Sequence, residues 1–486
     1  MPSKGEQLHI FFFPLMAPGH MIPVVDAAKL FAARGVRASI IITAANAPAV
    51  EASIRRTAEA GANVGTLVIE WPLSAVGLPE NFSWIASPDM RMDFLVGTPA
   101  LRPSFERLVK EHRPAAIVSD MFYPWTVDVA EEVGIPRLVF HATSFFTLCL
   151  EEKLALSTAS QEGHVDNDDR FVVPRVPHRI ELSETPVSDM KEFSPDFADV
   201  MIKINEAEGR SYGTVVNTFY ELEPHYADHY RKVMGKKAWP IGPVSLCNTD
   251  PADYAVRGGK ATVDQARCLT WLDSKAERSV LYVCFGSLCE FTKTQLQEIA
   301  GGLESAGCPF IWVTHGGRHD DPSGQWLPEG FEERVVESGI GLIMRGWAPQ
   351  VLILNHVAVG GFLTHCGWNS SLESIAAGLP MLTWPMFADQ FLNERLLVDV
   401  LKIGAGIGVK ICTIWKEDRS AVKAEEIIAA VGGLMGASPY AEEMRGKARE
   451  LKAAARRAME EGGSSYVDLG HLIQELSDKQ SVGSHG

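Results

Sequence analysis

Apolar residues along this chain gather in short unbroken runs. Each run ends in a glycine, proline or polar turn, and helical spacing follows. Residues 10–13 form the first run, the pattern of a strand buried on both faces of a parallel sheet. Residues 14–19 punctuate it, and Ile22, Val25, Ala28 and Phe31 then recur near helical spacing. Gly35 closes that helix and residues 38–43 give the next strand, so the chain is expected to open as a βαβ unit. Runs at 115–119 and 137–140 lead into Asp120 and His141. Acidic and polar residues thus stand where strands end, which is where open α/β sheets bind ligands.

Residues 239–264 break the pattern with Pro240, Gly242, Pro243, Pro251 and the Gly258-Gly259 pair, a linker composition. A second α/β series follows: a strand at 279–285, a Gly286-Ser287 turn, a helix at 295–305, and strands at 310–313, 341–344, 360–364 and 380–384. Residues 441–459 read as a surface helix, and the tail after Asp478 reads as frayed. The pattern predicts an α/β protein of two Rossmann-like, doubly wound domains facing each other across a cleft. The expected division is 1–245 and 265–460 for the domains and 246–264 for the linker, with 461–486 a C-terminal helix and tail packing back on the first domain.

Composition narrows the partners. With 46% hydrophobic residues in 486, the chain can bury two sizeable cores. A net charge of −16 argues against broad nucleic-acid or anionic-membrane binding, so an anionic ligand needs a local site such as a helix N-terminus. The cysteines are scattered with no CxxC pair, which fits buried free thiols in a reducing, cytoplasmic setting. The apolar run at 10–17 is too short for a membrane span and follows no basic segment. The Asn81-Phe82-Ser83 sequon is then expected to be unused.

The densest candidate chemistry lies at residues 361–373, where an apolar strand meets a glycine turn and then a helix. His365 and Gly367 fall at the turn, and Asn369 and Ser370 at the helix start. Free N–H groups and the helix dipole suit a diphosphate there, although a lone Ser or Asn at a helix start is usually only a cap. Glu373 lies one turn after Asn369, placed to accept ribose hydroxyls. A second junction follows at Asp389-Gln390, where an acid and an amide could hold sugar hydroxyls beside Trp384 or Phe387.

These blocks carry a resemblance. Trp347-Ala348-Pro349-Gln350, His365-Cys366-Gly367-Trp368-Asn369-Ser370, Glu373 and Asp389-Gln390 closely resemble the signature box of plant UDP-dependent, secondary-product glycosyltransferases. The likeness runs from the Gly19-His20 turn to the C-terminal helices. It looks closest to the group acting on flavonoids, triterpenoids and steroids, through residues 11–31 and 217–224. The resemblance implies a GT-B fold and a UDP-sugar co-substrate, with no cofactor and no metal. It implies Trp347 on uracil, Ala348 and Gln350 beside the nucleoside, and Glu373 on ribose. Ser287, His365, Asn369 and Ser370 would meet the phosphates, and Trp368, Asp389 and Gln390 the sugar. A final Gln usually accompanies glucose in this family, so Gln390 implies UDP-glucose. Ala376-Ala377-Gly378 departs from the family, which more often has Ser before this Gly.

Inverting transfer needs a base for the acceptor hydroxyl, and a histidine oriented by a carboxylate suits it near neutral pH. His20 follows the first strand and Asp120 ends a later one, and both match the family's catalytic pair. Taken alone they read equally as a helix-start residue and a cap. Met121 and Phe122 after Asp120, Phe146 after the next strand end, and Phe387 beside the sugar site are candidate acceptor contacts, as are Met16 and Met90. Each reads equally as core. His141 is expected to make a structural hydrogen bond, and Asp166-Asn167-Asp168 to be a solvated loop rather than a metal motif.

The implied activity is glucose transfer to a hydroxyl of a small apolar natural product, giving a β-glucoside, by a protein that need be no more than a monomer. Alternatives are a galactose, xylose or glucuronate donor, or a catalytically silent UDP-sugar-binding protein. Glucuronate would want a nearby cation, and only Arg395, further along the same helix, offers one. A nicotinamide-dependent oxidoreductase is disfavoured, because Gly404, Gly406 and Gly408 lack the GxGxxG spacing.

Overall fold

The computed structural model describes residues 7–85, 87–160, 170–183, 195–258, 265–314 and 326–483. The first sheet contains β1 (His9–Phe13), β2 (Arg37–Thr43), β3 (Val64–Ile69), β4 (Ala116–Asp120), β5 (Arg137–His141), β8 (Gly213–Val216) and β9 (Ala238–Pro240). A small antiparallel hairpin, β6 (Arg170–Val172) and β7 (Glu181–Ser183), stands apart. The second sheet contains β10 (Val280–Cys284), β11 (Phe310–Thr314), β12 (Gly341–Arg345), β13 (Val359–Thr364), β14 (Met381–Thr383) and β15 (Gly404–Gly406). Both large sheets are parallel throughout.

Helices cover both sheets, so the inner strands are buried on two faces and their sequences are apolar runs, whereas edge strand β3 alternates between buried and exposed positions. All five residues of β1 and all five of β10 are buried. The strand order is β3-β2-β1-β4-β5-β8-β9 in the first sheet and β12-β11-β10-β13-β14-β15 in the second. Each order reverses direction once, between β1 and β4 and between β10 and β13. Connections diverge there and leave a crevice beyond the strand ends, the usual ligand position in open α/β sheets.

Three stretches differ from the sequence reading. Trp239 and Pro240, read as the start of a linker, belong to β9, which pairs with β8 at the edge of the first sheet. The prolines and glycines nearby mark that edge rather than a loose connection. Residues 251–256 form a short helix capped by the Asp250 side chain, not an unstructured tether. The final helix, Ser464–Gly483, runs past Asp478 without fraying, and Leu469, Leu472 and Leu476 join the core beneath the first sheet. Asp166-Asn167-Asp168 lies outside the described residues.

Candidate functional site

The first crevice is built by β1 and β4. Their register pairs Phe13 with Ser119, so the two strands end side by side. Helix Pro18–Ala33 starts just beyond β1 with Pro at its first turn and no side-chain cap. That turn carries His20, while Asp120 is the last residue of β4. Adjacent strand ends therefore unite residues a hundred positions apart: His20 Nδ1 lies 2.7 Å from Asp120 Oδ2. Asp120 Oδ1 also accepts the Phe122 N–H at 3.1 Å. Burial works against charge on both partners, but each stabilises the other's ion. The net effect holds the imidazole above its ordinary 6.5 and the carboxyl below its ordinary 3.8. His20 remains one-third exposed, with its ring 5.8 Å from that of Phe122.

The second crevice is built by β10 and β13. Gly286 follows β10 with φ of 74°, and a Cβ there would lie 2.6 Å from His365 Nε2. Gly367 meets the other side, where a Cβ would lie 2.3 Å from the same atom. Two glycines thus clamp His365 beside Ser287, which is half-buried in the turn. Burial pushes the His365 pKa down to about 4, so the ring is neutral, and its buried Nδ1 has no hydrogen-bond partner. Cys366 turns the chain in the left-handed region, with φ of 64°, and helix Trp368–Ala377 begins two residues later without a side-chain cap. Its first N–H groups are left free to meet an anion.

The two crevices face each other across direct bonds. The Asn369 amide donates to the carbonyl of Gly19, next to His20. Asn217, just past β8, donates to Asn369 Oδ1 at 3.3 Å, and its carbonyl accepts the Trp368 indole N–H at 2.7 Å. Thr143 Oγ1 donates to Asp389 Oδ2 at 3.3 Å, and Asn393 Nδ2 donates to the same oxygen at 2.9 Å. Burial raises the Asp389 carboxyl against the pull of these two donors and of His20.

Nucleoside-side candidates form one cluster. Gln350 Nε2 donates to Glu373 Oε2 at 2.8 Å and to Ser370 Oγ at 3.1 Å. Trp347 is half-buried, Ala348 is buried beneath it, and the Trp347 indole donates to the carbonyl of Arg257 at 3.4 Å. Gln390 Oε1 accepts the N–H groups of Met386 and Phe387, which fixes the loop before it.

Some candidates sit elsewhere than expected. The Trp368 side chain is a core residue whose indole is tied to the Asn217 carbonyl. Phe146 is fully buried edge-on to Tyr226, and Trp384 packs on Phe285 and Phe291. Phe146 thus presents no surface to an acceptor and Trp384 almost none to a sugar ring, because each packs into the core. Met16 is also fully buried. Met121, Phe122, Phe387 and Met90 remain half-buried, and Arg419 lies over the Phe387 ring. His141 contacts Glu208 at 2.8 Å inside the protein.

Sequence reasoning passed over Thr143, Asn217, Asn393 and Arg257. Thr143 and Asn217 each follow a strand end, the same signal that exposed Asp120. Asn393 and Arg257 carry no such signal. Among the described residues no group of three or more His, Cys, Asp or Glu could hold a metal ion, and no helix is long and apolar enough to cross a membrane.

Comparison with known proteins gives the family and the fold. The family model described as UDP-glucoronosyl and UDP-glucosyl transferase matches residues 257–429. The scopoletin glucosyltransferase of Nicotiana tabacum is 48% identical over 98% of this chain and 99% of its own length. The UDP-glucose flavonoid 3-O-glucosyltransferase 7 of Fragaria ananassa is 44% identical over 98% of each. Among solved structures, a Glycyrrhiza uralensis UGT complexed with glycyrrhetinic acid 3-O-monoglucuronide superposes with a TM-score of 0.90 at 40% identity, covering 99% of this chain and 98% of that one. A Medicago truncatula UGT complexed with UDP-glucose gives 0.77 at 27%, covering 97% and 98%. With identity this high over nearly the full length of both chains and the two-sheet architecture in common, the chain belongs to the plant family 1 UDP-glycosyltransferases and has their GT-B fold.

Proposed function

We propose that this enzyme transfers glucose from UDP-glucose, with inversion at the anomeric carbon, to a hydroxyl of a small apolar natural product of the phenolic or triterpenoid kind. The observation that carries the reading is the His20–Asp120 pair at 2.7 Å, one residue from the Gly19 carbonyl that Asn369 of the donor helix engages. A base, its orienting carboxylate and an anion-binding helix start thus share one cleft.

With Nδ1–H donated to Asp120, the free Nε2 of His20 accepts the acceptor hydroxyl proton. The oxygen attacks the anomeric carbon, the bond to the diphosphate breaks, and UDP leaves with the electron pair. Inversion of an α-linked donor yields a β-glucoside. The helix start with Asn369 and Ser370, together with Ser287 and the neutral His365 ring in the turn before the helix, stabilises the charge on the departing diphosphate. Asp389 and Gln390 hold sugar hydroxyls, with Thr143 alongside. Trp347, Gln350 and Glu373 hold the nucleoside. Phe122, Met121 and Phe387 line the acceptor side. Residues 1–245 carry the acceptor and 265–460 the donor.

A neutral hexose is favoured over glucuronate because Arg395 is committed to Glu394 at 2.8 Å and Asp399 at 3.2 Å. All eight cysteines are free thiols, which accords with a reducing, cytoplasmic setting. The test is mass-spectrometric turnover of UDP-glucose with pooled coumarins, flavonoids and triterpenoids, beside His20→Ala. Single-hexose adducts from the wild type and none from the variant support the reading. UDP binding without turnover of any pool or any UDP-sugar would instead favour a silent binding protein.

A further inference from the structure

The segment between the sheets does more than connect them. Its short helix Pro251–Val256 is fastened to helix Ala47–Glu59, where Arg56 pairs with Asp253 at 2.6 Å and with Asp250 at 3.4 Å. The two residues that follow reach into the donor crevice. Arg257 Nε lies 2.7 Å from Asp26 Oδ2 and its Nη1 2.5 Å from Glu373 Oε1. All three side chains are less than a tenth exposed. A guanidinium is the side chain suited to this position, because its planar fork bonds two carboxylates at once and neutralises both away from water. Gly258 then stands against the Cζ2 side of the Trp347 indole with φ of 78°. A Cβ there would stand 2.3 Å from Trp347 Cζ2 and 2.7 Å from Ile22 Cδ1, so only glycine fits between the ring and the first helix.

Of the groups assigned above to the donor nucleoside, the Glu373 carboxylate is therefore occupied by Arg257, and the Nε1–Cζ2 side of the half-buried Trp347 indole is met by Arg257 and Gly258. A base cannot stack where Gly258 lies, and a ribose diol competes with Arg257 for Glu373. We propose that Arg257 and Gly258 are an internal occupant of the nucleoside subsite that the uridine of the donor displaces. Binding of UDP-sugar is thereby coupled to release of Arg257 and Gly258 from Glu373 and Trp347, which loosens the short helix Pro251–Val256 that precedes them. Asp26, which also accepts from Asn248 at 3.0 Å, holds the displaced arginine on the acceptor side of the cleft. Arg257 acts as a positioning residue: it holds the Glu373 carboxylate in place until ribose hydroxyls take it over.

This inference rests on the donor-site reading, and the experiment separates the two. Hydrogen exchange of the full chain is followed with and without UDP, and UDP affinity is measured by calorimetry for the wild type, Arg257→Ala and Arg257→Lys. The expected result is faster exchange in 251–258 and slower exchange in 368–377 when UDP binds. Arg257→Ala should bind UDP about fivefold more tightly, with Arg257→Lys between it and the wild type. Slower or unchanged exchange in 251–258 on UDP binding overturns the proposal, as does weaker binding by Arg257→Ala, which would make the arginine a donor ligand. Failure of the wild type to bind UDP overturns the donor site and the proposal together. The exchange readout uses the wild type, so it stands even where Arg257→Ala folds poorly.

Discussion

At the scale of single residues the proposed catalytic pair, His20 and Asp120, should set the pH response. Asp120 holds the His20 pKa above 6.5 against the opposing effect of burial. The base must be neutral to accept a proton, so kcat/KM should fall as pH drops through an apparent pKa above 6.5. Asp120→Asn removes the charge, and the acidic limb should move to lower pH while the rate falls roughly 10³–10⁴-fold. A pH–rate profile of both proteins checks this, and an unmoved limb would assign it to another group. His9 and His365 behave in the opposite sense. Burial, aided at His9 by the neighbouring Arg37, pushes each down to about 4 from 6.5. The unfolded chain takes up these protons first, so the fold loses stability as pH falls from 6.5 toward 4, by on the order of 3 kcal/mol for each histidine. His9 bonds Ser39 at 2.8 Å, and His9→Gln can keep that bond without titrating. Its melting temperature should decline less steeply than the wild type's across this interval.

Elements decide which of these residues can meet. Helix Phe145–Ser160 follows the segment carrying Thr143, and Ser144 caps its third N–H locally, accepting from Thr147 at 3.0 Å, which leaves the first two N–H groups in need of a further cap. Glu223 supplies one from a distance, accepting Phe145 N–H at 3.1 Å and Phe146 N–H at 2.7 Å. Burial raises this carboxyl to about 7 against the pull of Thr218 and the two amides. Glu223→Ala leaves both N–H groups buried without an acceptor and should cost about 1–3 kcal/mol in denaturant unfolding. Glu223→Gln keeps an acceptor oxygen and should cost less. The strands were legible because parallel, two-face burial writes itself as apolar runs: residues 10–13 and 360–364 fall inside β1 and β13. The Glu223 cap was not legible, because nothing near residue 145 marks a partner 78 positions away.

At the scale of the molecule the last helix binds the chain's end to its beginning. Arg34 lies 3.3 Å over the ring of Tyr466, and Arg231 pairs with Asp468 at 3.0 Å. Leu472 is fully buried in the core that also contains Phe11 and Phe12. Leu472→Ala should cost about 2–5 kcal/mol, visible as a lower midpoint of chemical unfolding. A similar truncation on the exposed face, such as Val467→Ala, should leave the midpoint nearly unchanged, since Val467 is 38% exposed.

Sequence by itself determined the fold class, most strands of the two parallel sheets and the polar residues that stand at their ends, but not β3, β8, β9 or β15. These follow from short-range rules: burial on two faces selects apolar runs, and a strand-to-helix turn leaves N–H groups free. His20, Asp120, Asn369 and Asp389 could all be picked out because each stands at such a junction. Tertiary structure alone decided which junctions face one another. The register of β1 against β4 brings His20 to Asp120, and the contact between the two sheets brings Asn369 to Gly19. It also turned the Trp368 indole and Phe146 into core, and carried Arg257 from an apparent linker into a buried bridge between Asp26 and Glu373. Periodicity records which face of an element is buried but not what lies opposite. Pairings across more than a hundred residues depend on packing that no local pattern encodes.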